Sequence, residues 1–103
     1  MSARALKVLL AGRVAGTLEQ RESGKLSFEY ERDYQGAPLS LSMPVSNRVY
    51  GDKRVRPFLF GLLPDDAAVR QSMGREFGVS GNNPFALLEH VGLECPGAVR
   101  LLP

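Results

Sequence analysis

The sequence predicts a single α+β domain over residues 1–103, in which a small antiparallel sheet or partly open barrel precedes about three helices and a final returning strand. Apolar and polar residues alternate in parts of the N-terminal half, which is typical of half-buried strands. In the C-terminal half, apolar residues recur every three or four positions, with proline and glycine at the borders expected of helices. A length of 103 residues suits one hydrophobic core.

The predicted N-terminal strands occupy three segments separated by turn residues. Residues 5–11 are typical of a mostly buried strand, and residues 14–19 continue as a second strand after a turn at Gly12. Gly16 is a candidate bulge in that second strand. Residues 26–30 alternate apolar and polar side chains with a period of two. Together these segments predict an antiparallel meander.

The next segment predicts one more strand and then a loop. Leu39, Leu41 and Met43 alternate with serines and would share one face of a strand. Pro44 would end that strand, because proline has no N–H to donate to a sheet. Residues 45–55 are polar and rich in turn residues, which favours a protruding loop or a short edge hairpin.

Proline delimits the first predicted helix. Pro57 suits its first turn, since the missing N–H of proline is no loss there, and Pro64 stops it. Either Asp65 or Asp66 can cap the helix that follows, by accepting hydrogen bonds from its exposed N–H groups.

Glycine and proline also delimit the second and third predicted helices. Gly78 ends the second, Asn83 and Pro84 begin the third, and Gly92 ends it. After a turn at residues 95–97, residues 98–102 predict the strand that returns to the sheet. The side chains predicted to face the core are Val69, Met73 and Phe77 in the second helix, and Phe85, Leu87, Leu88 and Val91 in the third.

Composition and charge exclude several classes of protein. Hydrophobic residues make up 44% of the chain and charged residues 23%, which argues against disorder. The longest apolar runs are three or four residues, against the ~20 that a transmembrane helix needs. The N-terminus carries no apolar segment of the kind expected in a secretory signal. A net charge of +2 does not demand a nucleic-acid partner.

The sequence predicts no metal site, no cofactor and no catalytic set. One histidine, His90, and one cysteine, Cys95, cannot build a structural zinc site, and no glycine-rich phosphate loop is present. The lone cysteine excludes an internal disulfide and favours a reducing, cytoplasmic setting. We interpret His90 as a residue that favours the dipole of a helix C-terminus, and Cys95 as an unreactive, partly buried thiol.

Two charged segments are candidate binding surfaces. Asp65 and Asp66 follow Pro64 at a predicted exposed turn, where they are either helix caps or contacts to a partner. The second segment, here called the basic cluster, places four positive charges within nine residues around Tyr50. Such a cluster is compatible with nucleic acid, with an acidic protein surface or with solvent alone. The members of the basic cluster are Arg48, Lys53, Arg54 and Arg56.

Five phrases of the sequence carry a resemblance to a known family. Residues 38–44, Pro-Leu-Ser-Leu-Ser-Met-Pro, and residues 58–65, Phe-Leu-Phe-Gly-Leu-Leu-Pro-Asp, are the most specific. Residues 14–18, 83–88 and 97–103 follow the same family in order and spacing. All five phrases resemble the N-terminal subdomain of the HipA family of serine/threonine kinases.

The resemblance covers residues 6–103 and implies one HipA N-terminal-subdomain-like domain without the kinase core, which lies downstream in that family. A free-standing copy of this subdomain resembles the HipS-type antitoxins of three-part toxin–antitoxin systems. Those systems also contain a shortened HipT-like kinase toxin and a HipB-like helix-turn-helix repressor that binds operator DNA. The resemblance therefore implies a bacterial, cytoplasmic and non-enzymatic antitoxin that inhibits a HipT-like kinase. It implies neither a bound cofactor nor a membrane as a partner.

On this interpretation, the turn formed by Leu63, Pro64, Asp65 and Asp66, together with nearby Arg70, is the candidate kinase contact. Pro64 would rigidify the turn, and the carboxylates could pair with basic groups that line a phosphate site.

Two other functions stay open. The chain could be the regulatory N-terminal subdomain of a full-length HipA-like kinase. It could also be a small nucleic-acid-binding module that uses the basic cluster, in which case binding falls steeply as salt rises.

Overall fold

A five-stranded antiparallel sheet with three helices is the architecture of the computed structural model, which describes residues 4–95 and 98–103. The strand order is β4-β3-β2-β1-β5, and the sheet is open. Its strands are β1 (Arg4–Leu10), β2 (Arg13–Gln20), β3 (Leu26–Tyr30), β4 (Val49–Tyr50) and β5 (Val99–Leu102). The predicted α+β class, the meander of the first three strands and the returning last strand are confirmed.

One face of the sheet forms half of the hydrophobic core. Leu6, Leu18, Phe28 and Tyr50 lie side by side across β1, β2, β3 and β4, and all four are buried. The residues next to them in each strand point to the opposite face, because side chains alternate along a strand. That opposite face is exposed or half-buried, and its central row is Lys7, Thr17, Glu29 and Val49.

A bulge in β2 lies one residue from the predicted position. Val8 pairs with Gly16 while Leu9 pairs with Val14, so Ala15 is the extra residue. Gly16 has a different role, since a Cβ there would lie 2.2 Å from the carbonyl oxygen of Glu29. Glycine therefore allows β2 and β3 to approach each other closely at this point.

The helices are α1 (Asp52–Gly61), α2 (Ala67–Phe77) and α3 (Pro84–Val91), and a short 3-10 helix (Gly92–Glu94) follows. The third helix is the most deeply buried. Its first five residues are all buried, and they form the helical side of the core together with Val55 and Leu59 of α1. The apolar stripe predicted for this helix is thereby confirmed at Phe85, Leu87 and Leu88.

Three predicted helix boundaries are confirmed by their caps. The Asp66 carboxylate accepts a hydrogen bond from the Ala68 N–H at 2.8 Å, and the Asn83 side chain accepts one from Ala86. Gly78 ends α2 in the left-handed conformation, with φ of 73°. The turn predicted at residues 95–97 lies partly outside the described residues.

The strand predicted from Leu39 to Met43 is wrong, because this segment forms turns. The Met43 N–H donates to the Ser40 carbonyl oxygen at 3.0 Å, and the Ser42 N–H donates to the Ser40 hydroxyl. Serine side chains that bond nearby backbone groups compete with a sheet ladder. As a result Met43 is buried while Leu41 is 96% exposed, so the two do not share a face.

The first helix begins five residues before the predicted start, at Asp52, and contains Pro57 in its interior. Burial explains the difference. Val55 and Leu59 are one turn apart and both lie in the core, which requires helix on either side of the proline. Pro57 itself is exposed. The loop or edge hairpin predicted for 45–55 is confirmed in part: residues 45–48 form a turn and loop, Val49–Tyr50 form the edge strand β4, and residues 52–55 belong to α1.

The core stripe predicted along α2 is also wrong in part. Val69 is 44% exposed, and Met73 and Phe77 are half-buried. The ring of Phe77 stacks on that of His90, with centroids 4.5 Å apart, so this end of α2 packs on α3. The buried residue of α2 is Gly74, where a Cβ would meet the Val79 carbonyl oxygen at 2.5 Å.

Candidate functional site

The turn between α1 and α2, residues 62–66, contains four of the five predicted kinase contacts. Leu63 is buried and anchors the turn in the core. Pro64, Asp65 and Asp66 are exposed. The turn starts tightly, because the N–H groups of Leu62 and Leu63 donate to carbonyl oxygens three residues earlier. The buried side chain of Leu63 thus holds the turn to the core, and the three residues that follow it are exposed.

Arg70, the fifth predicted contact, holds the turn from α2. Its guanidinium donates to the carbonyl oxygen of Pro64 at 2.6 Å and to that of Asp65 at 2.9 Å. The same group lies 5.3 Å from the centre of the Phe60 ring, a cation–π distance. Through these contacts the planar guanidinium of Arg70 is engaged with other residues of the same chain. Arg70 therefore positions the turn.

The two aspartates of the turn have different surroundings. Asp66 caps α2, so its carboxylate is engaged with the backbone of its own helix. None of the side-chain contacts found among the described residues uses the Asp65 carboxylate. Asp65 is therefore the residue of the pair that is available to a partner.

An apolar groove of about 390 Å³ lies beside the turn. Leu62, Leu63 and Pro64 form one side, and residues of α2, α3 and the short 3-10 helix form the other. Cys95 lies at this groove and is buried, and burial raises the pKa of its thiol although Arg100 acts in the opposite direction. A thiol with a raised pKa is a poor nucleophile at neutral pH, in line with the interpretation of Cys95 as unreactive.

The basic cluster does not form one continuous charged surface. Arg48 donates to the carbonyl oxygens of Glu31 and Tyr34, both at 3.0 Å. Arg56 bonds the carboxylate of Asp52, one helical turn earlier, at 2.8 and 3.1 Å. The Arg54 guanidinium also donates to a backbone carbonyl oxygen, that of Ser42, so three of the four cationic side chains have partners inside the chain. Lys53 and Arg54 are exposed, and they are the part of the cluster that a partner can reach.

Asp52 joins the start of α1 to the sheet, a contact that sequence reasoning missed. Its carboxylate accepts from Arg56 and also from the Leu26 N–H at 2.9 Å. Both hydrogen bonds stabilise the charged form and hold the pKa of Asp52 below its usual value, with the Arg56 side chain as the larger cause. The sequence signal for the ion pair with Arg56 was the spacing of four residues, which places Asp52 and Arg56 one turn apart on a helix.

Metal-binding and membrane-spanning features were searched in residues 4–95 and 98–103. Within those ranges, no three His, Cys, Asp or Glu side chains come together in a way that could hold a metal ion. The helices of the same ranges are all too short or too polar to cross a membrane.

The open antiparallel sheet and the three short helices form a small α+β domain, which carries at residues 63–66 the turn held by Arg70, here called the braced turn. Comparison with known families gives its class: the model of the HipA N-terminal domain matches residues 6–102. The chain belongs to the HipA N-terminal domain family.

Three similar proteins show how this domain occurs elsewhere. The Sinorhizobium fredii protein named "Putative kinase Y4mE" is 36% identical over 107 residues, covering 100% of this chain and 25% of that protein. An uncharacterized Haemophilus influenzae protein is 30% identical over 98 residues, covering 95% of this chain and 91% of that protein.

The third is a solved structure of the Shewanella oneidensis toxin–antitoxin system HipA, HipB and its operator DNA. One chain of that complex matches with a TM-score of 0.80 and 28% identity, over 95% of this chain and 23% of the other. This chain therefore spans about a quarter of the Sinorhizobium and Shewanella proteins and most of the Haemophilus protein.

Proposed function

We propose that this protein is a non-enzymatic antitoxin of the HipS type, which binds and inhibits a HipT-like serine/threonine kinase toxin. In such a system the domain that is joined to the kinase in HipA acts as a separate chain. A surface that packs on the kinase within one polypeptide can bind the same surface from another polypeptide. The proposal includes a cytoplasmic location for this protein.

The observation that carries the proposal is the braced turn at 63–66. A buried leucine below it and the Arg70 guanidinium beside it fix its backbone, and Asp65 stands exposed. A pre-ordered turn loses little conformational freedom on binding, so more of its contact energy appears as affinity. The Asp65 carboxylate suits a basic group of the kinase, such as one that otherwise binds phosphate.

The relatives support a separate chain as well as a kinase-linked domain. The Haemophilus protein is nearly matched in length by this chain, so a relative of this domain exists outside a long kinase. The Shewanella complex contains HipB and operator DNA beside HipA. By analogy, the proposed assembly includes a HipB-like repressor and, through it, operator DNA.

On this proposal, the chain inhibits the kinase by binding near the cleft between its lobes. Phosphoryl transfer requires nucleotide, metal and substrate to be brought together between lobes that close. A rigid turn inserted near the cleft obstructs that closure or the entry of substrate.

The direct test is co-purification and assay with a HipA-type kinase that lacks this domain. We expect a complex that co-elutes, kinase activity that falls as the chain is added, and rescue of growth on co-expression. We also expect the chain alone to bind no ATP in calorimetry. ATP binding by kinase-free protein, or the absence of both complex and rescue, would overturn the proposal.

The second candidate is a regulatory N-terminal subdomain of a full-length HipA-like kinase. The 25% and 23% coverage of the Sinorhizobium and Shewanella proteins favours it. The gene distinguishes the two candidates, because a reading frame that continues into a kinase core supports the subdomain, and a separate kinase frame supports the antitoxin.

A further inference from the structure

Leu41 is an unburied leucine in a loop held by hydrogen bonds, and neither the fold nor the braced turn accounts for its exposure. It is 96% exposed, whereas Met43, two residues later, is fully buried and Leu39 is half-buried. Leu93, another exposed leucine among the described residues, is 60% exposed. The loop thus turns Leu41 outward while its neighbours pack inward.

Hydrogen bonds on both sides fix the position of Leu41. The Tyr30 hydroxyl accepts from the Leu39 N–H at 3.0 Å and donates to the Met43 carbonyl oxygen at 2.5 Å. The Met43 N–H closes a turn on the Ser40 carbonyl oxygen, with Leu41 at the second position. Because Tyr30 is buried in the core, this one hydroxyl ties both ends of the exposed loop to the sheet. Little loop ordering is then needed when a partner covers Leu41.

Positive charge borders the exposed leucine. The Arg54 guanidinium donates to the Ser42 carbonyl oxygen at 2.5 Å, so this cation lies against the loop that carries Leu41. Lys53, the neighbour of Arg54 in α1, is exposed as well. An apolar tip beside cations fits an apolar protein pocket with an acidic rim. Nucleic acid fits less well, because its phosphate backbone offers charge but no such pocket.

The helix α1 separates this loop from the braced turn. Arg54 lies in the first turn of α1, and residues 62–66 follow its last turn. A helix of ten residues is about 15 Å long, and a common protein interface of ~800 Å² per partner is roughly 30 Å across. The length of α1 therefore lies within the span of one such interface, and of its two ends the first is basic and the second bears the exposed carboxylate of Asp65.

We propose that Leu41 is the affinity anchor of a two-point docking surface, and that it binds an apolar, acid-rimmed pocket on the kinase. The turn at 63–66 is the second point, and it obstructs the kinase. This inference rests on the proposed antitoxin function and divides that function into two separable parts. Loss of the anchor weakens binding, whereas loss of the Asp65 contact weakens inhibition by the bound chain.

The test titrates the kinase with the wild-type chain, Leu41→Ser, Asp65→Ala and the matched control Leu93→Ser. Leu41→Ser should raise the Kd at least about tenfold, as expected for a central apolar anchor, yet reach full inhibition at saturation. Asp65→Ala should bind with a smaller change in Kd and leave residual kinase activity at saturation. Lys53→Glu should weaken binding more at low salt than at high salt. Leu41→Gln is a second anchor variant, and circular dichroism checks the fold of each.

Four outcomes would overturn the anchor. The first is that Leu41→Ser and Leu41→Gln bind as tightly as the wild type, the second is that Leu93→Ser weakens binding equally, and the third is that Lys53→Glu has no effect at low salt. The fourth is that, in sedimentation, Leu41→Ser dissociates a dimer of this chain while kinase binding is unchanged. A wild-type chain that does not bind the kinase at all overturns the proposed function first, and the anchor with it.

Discussion

Arg70 donates a hydrogen bond to the carbonyl oxygen of Asp65 at 2.9 Å, and so holds the backbone of a residue whose carboxylate is exposed. The side chain that looks like a ready-made basic contact is thereby committed to the chain itself. The neighbouring acid is the group that a partner can reach. This division of roles, a positioning arginine and a contacting aspartate, underlies the first two predictions.

Asp65→Ala and Asp66→Ala should differ in what they change. Asp66→Ala removes the cap of α2 and should lower the free energy of unfolding by about 0.5–2 kcal/mol. Asp65→Ala removes an exposed carboxylate and should change that free energy by less than about 0.5 kcal/mol, yet weaken inhibition of the kinase. Urea denaturation followed by circular dichroism measures the first quantity, and kinase activity against chain concentration measures the second. A folded Asp65→Ala variant that inhibits normally would show that this carboxylate makes no contact.

Arg70→Ala should loosen the turn with a small loss of stability. It removes two exposed hydrogen bonds and a cation–π contact, for which we expect about 1 kcal/mol. Inhibition should weaken because the turn is no longer pre-ordered. The control is Arg75→Ala, which removes the same charge from the exposed last turn of α2. If the Arg75 variant loses as much inhibition, net charge rather than turn geometry is responsible.

Phe85→Ala should be far more damaging to the fold than Phe77→Ala. Phe85 is fully buried at the start of α3, and replacing a buried phenylalanine with alanine costs about 3–5 kcal/mol. Phe77 is half-buried and packs on His90, so its loss leaves a site that water can enter and should cost less. Thermal melts of the two variants compare them directly. Equal losses would contradict the placement of α2 at the edge of the core.

The Asp52–Arg56 pair should make stability depend on acid pH. The pKa of Asp52 is lowered in the folded chain, so the charged carboxylate stabilises the fold above the ordinary aspartate value near 4. That contribution is lost as the pH falls through the lowered pKa. Asp52→Asn should therefore reduce stability at pH 7 and narrow the gap to the wild type at low pH. A gap that stays constant between pH 7 and pH 2, in urea titrations, would contradict this role.

Local sequence signals predicted the elements whose structure depends on local chemistry. The cap at Asp66, the left-handed Gly78 and the start at Pro84 follow from groups only a few residues apart. The errors arose where distant contacts decide. Pro57 lies inside α1 because Val55 and Leu59 are needed in the core on both sides of it.

In the candidate site, too, the sequence did not predict features that depend on distant contacts. The sequence marked the 63–66 turn and Arg70, but not the direction of the Arg70 side chain, which depends on Phe60 in another helix. Leu41 was predicted to share one strand face with Leu39 and Met43, because these three residues alternate with serines. Its exposure follows from the hydroxyl of Tyr30, which lies nine residues before Leu39.

The central claim is that this chain, acting as a separate protein, inhibits a HipA-type kinase through the surface between Leu41 and Asp66. The most direct measurement is phosphotransfer by a kinase that lacks this domain, at increasing concentrations of the chain. We predict that the wild-type chain inhibits phosphotransfer fully at saturation, with a complex that co-elutes in gel filtration. Full kinase activity in the presence of excess folded chain, with no complex, would contradict the claim.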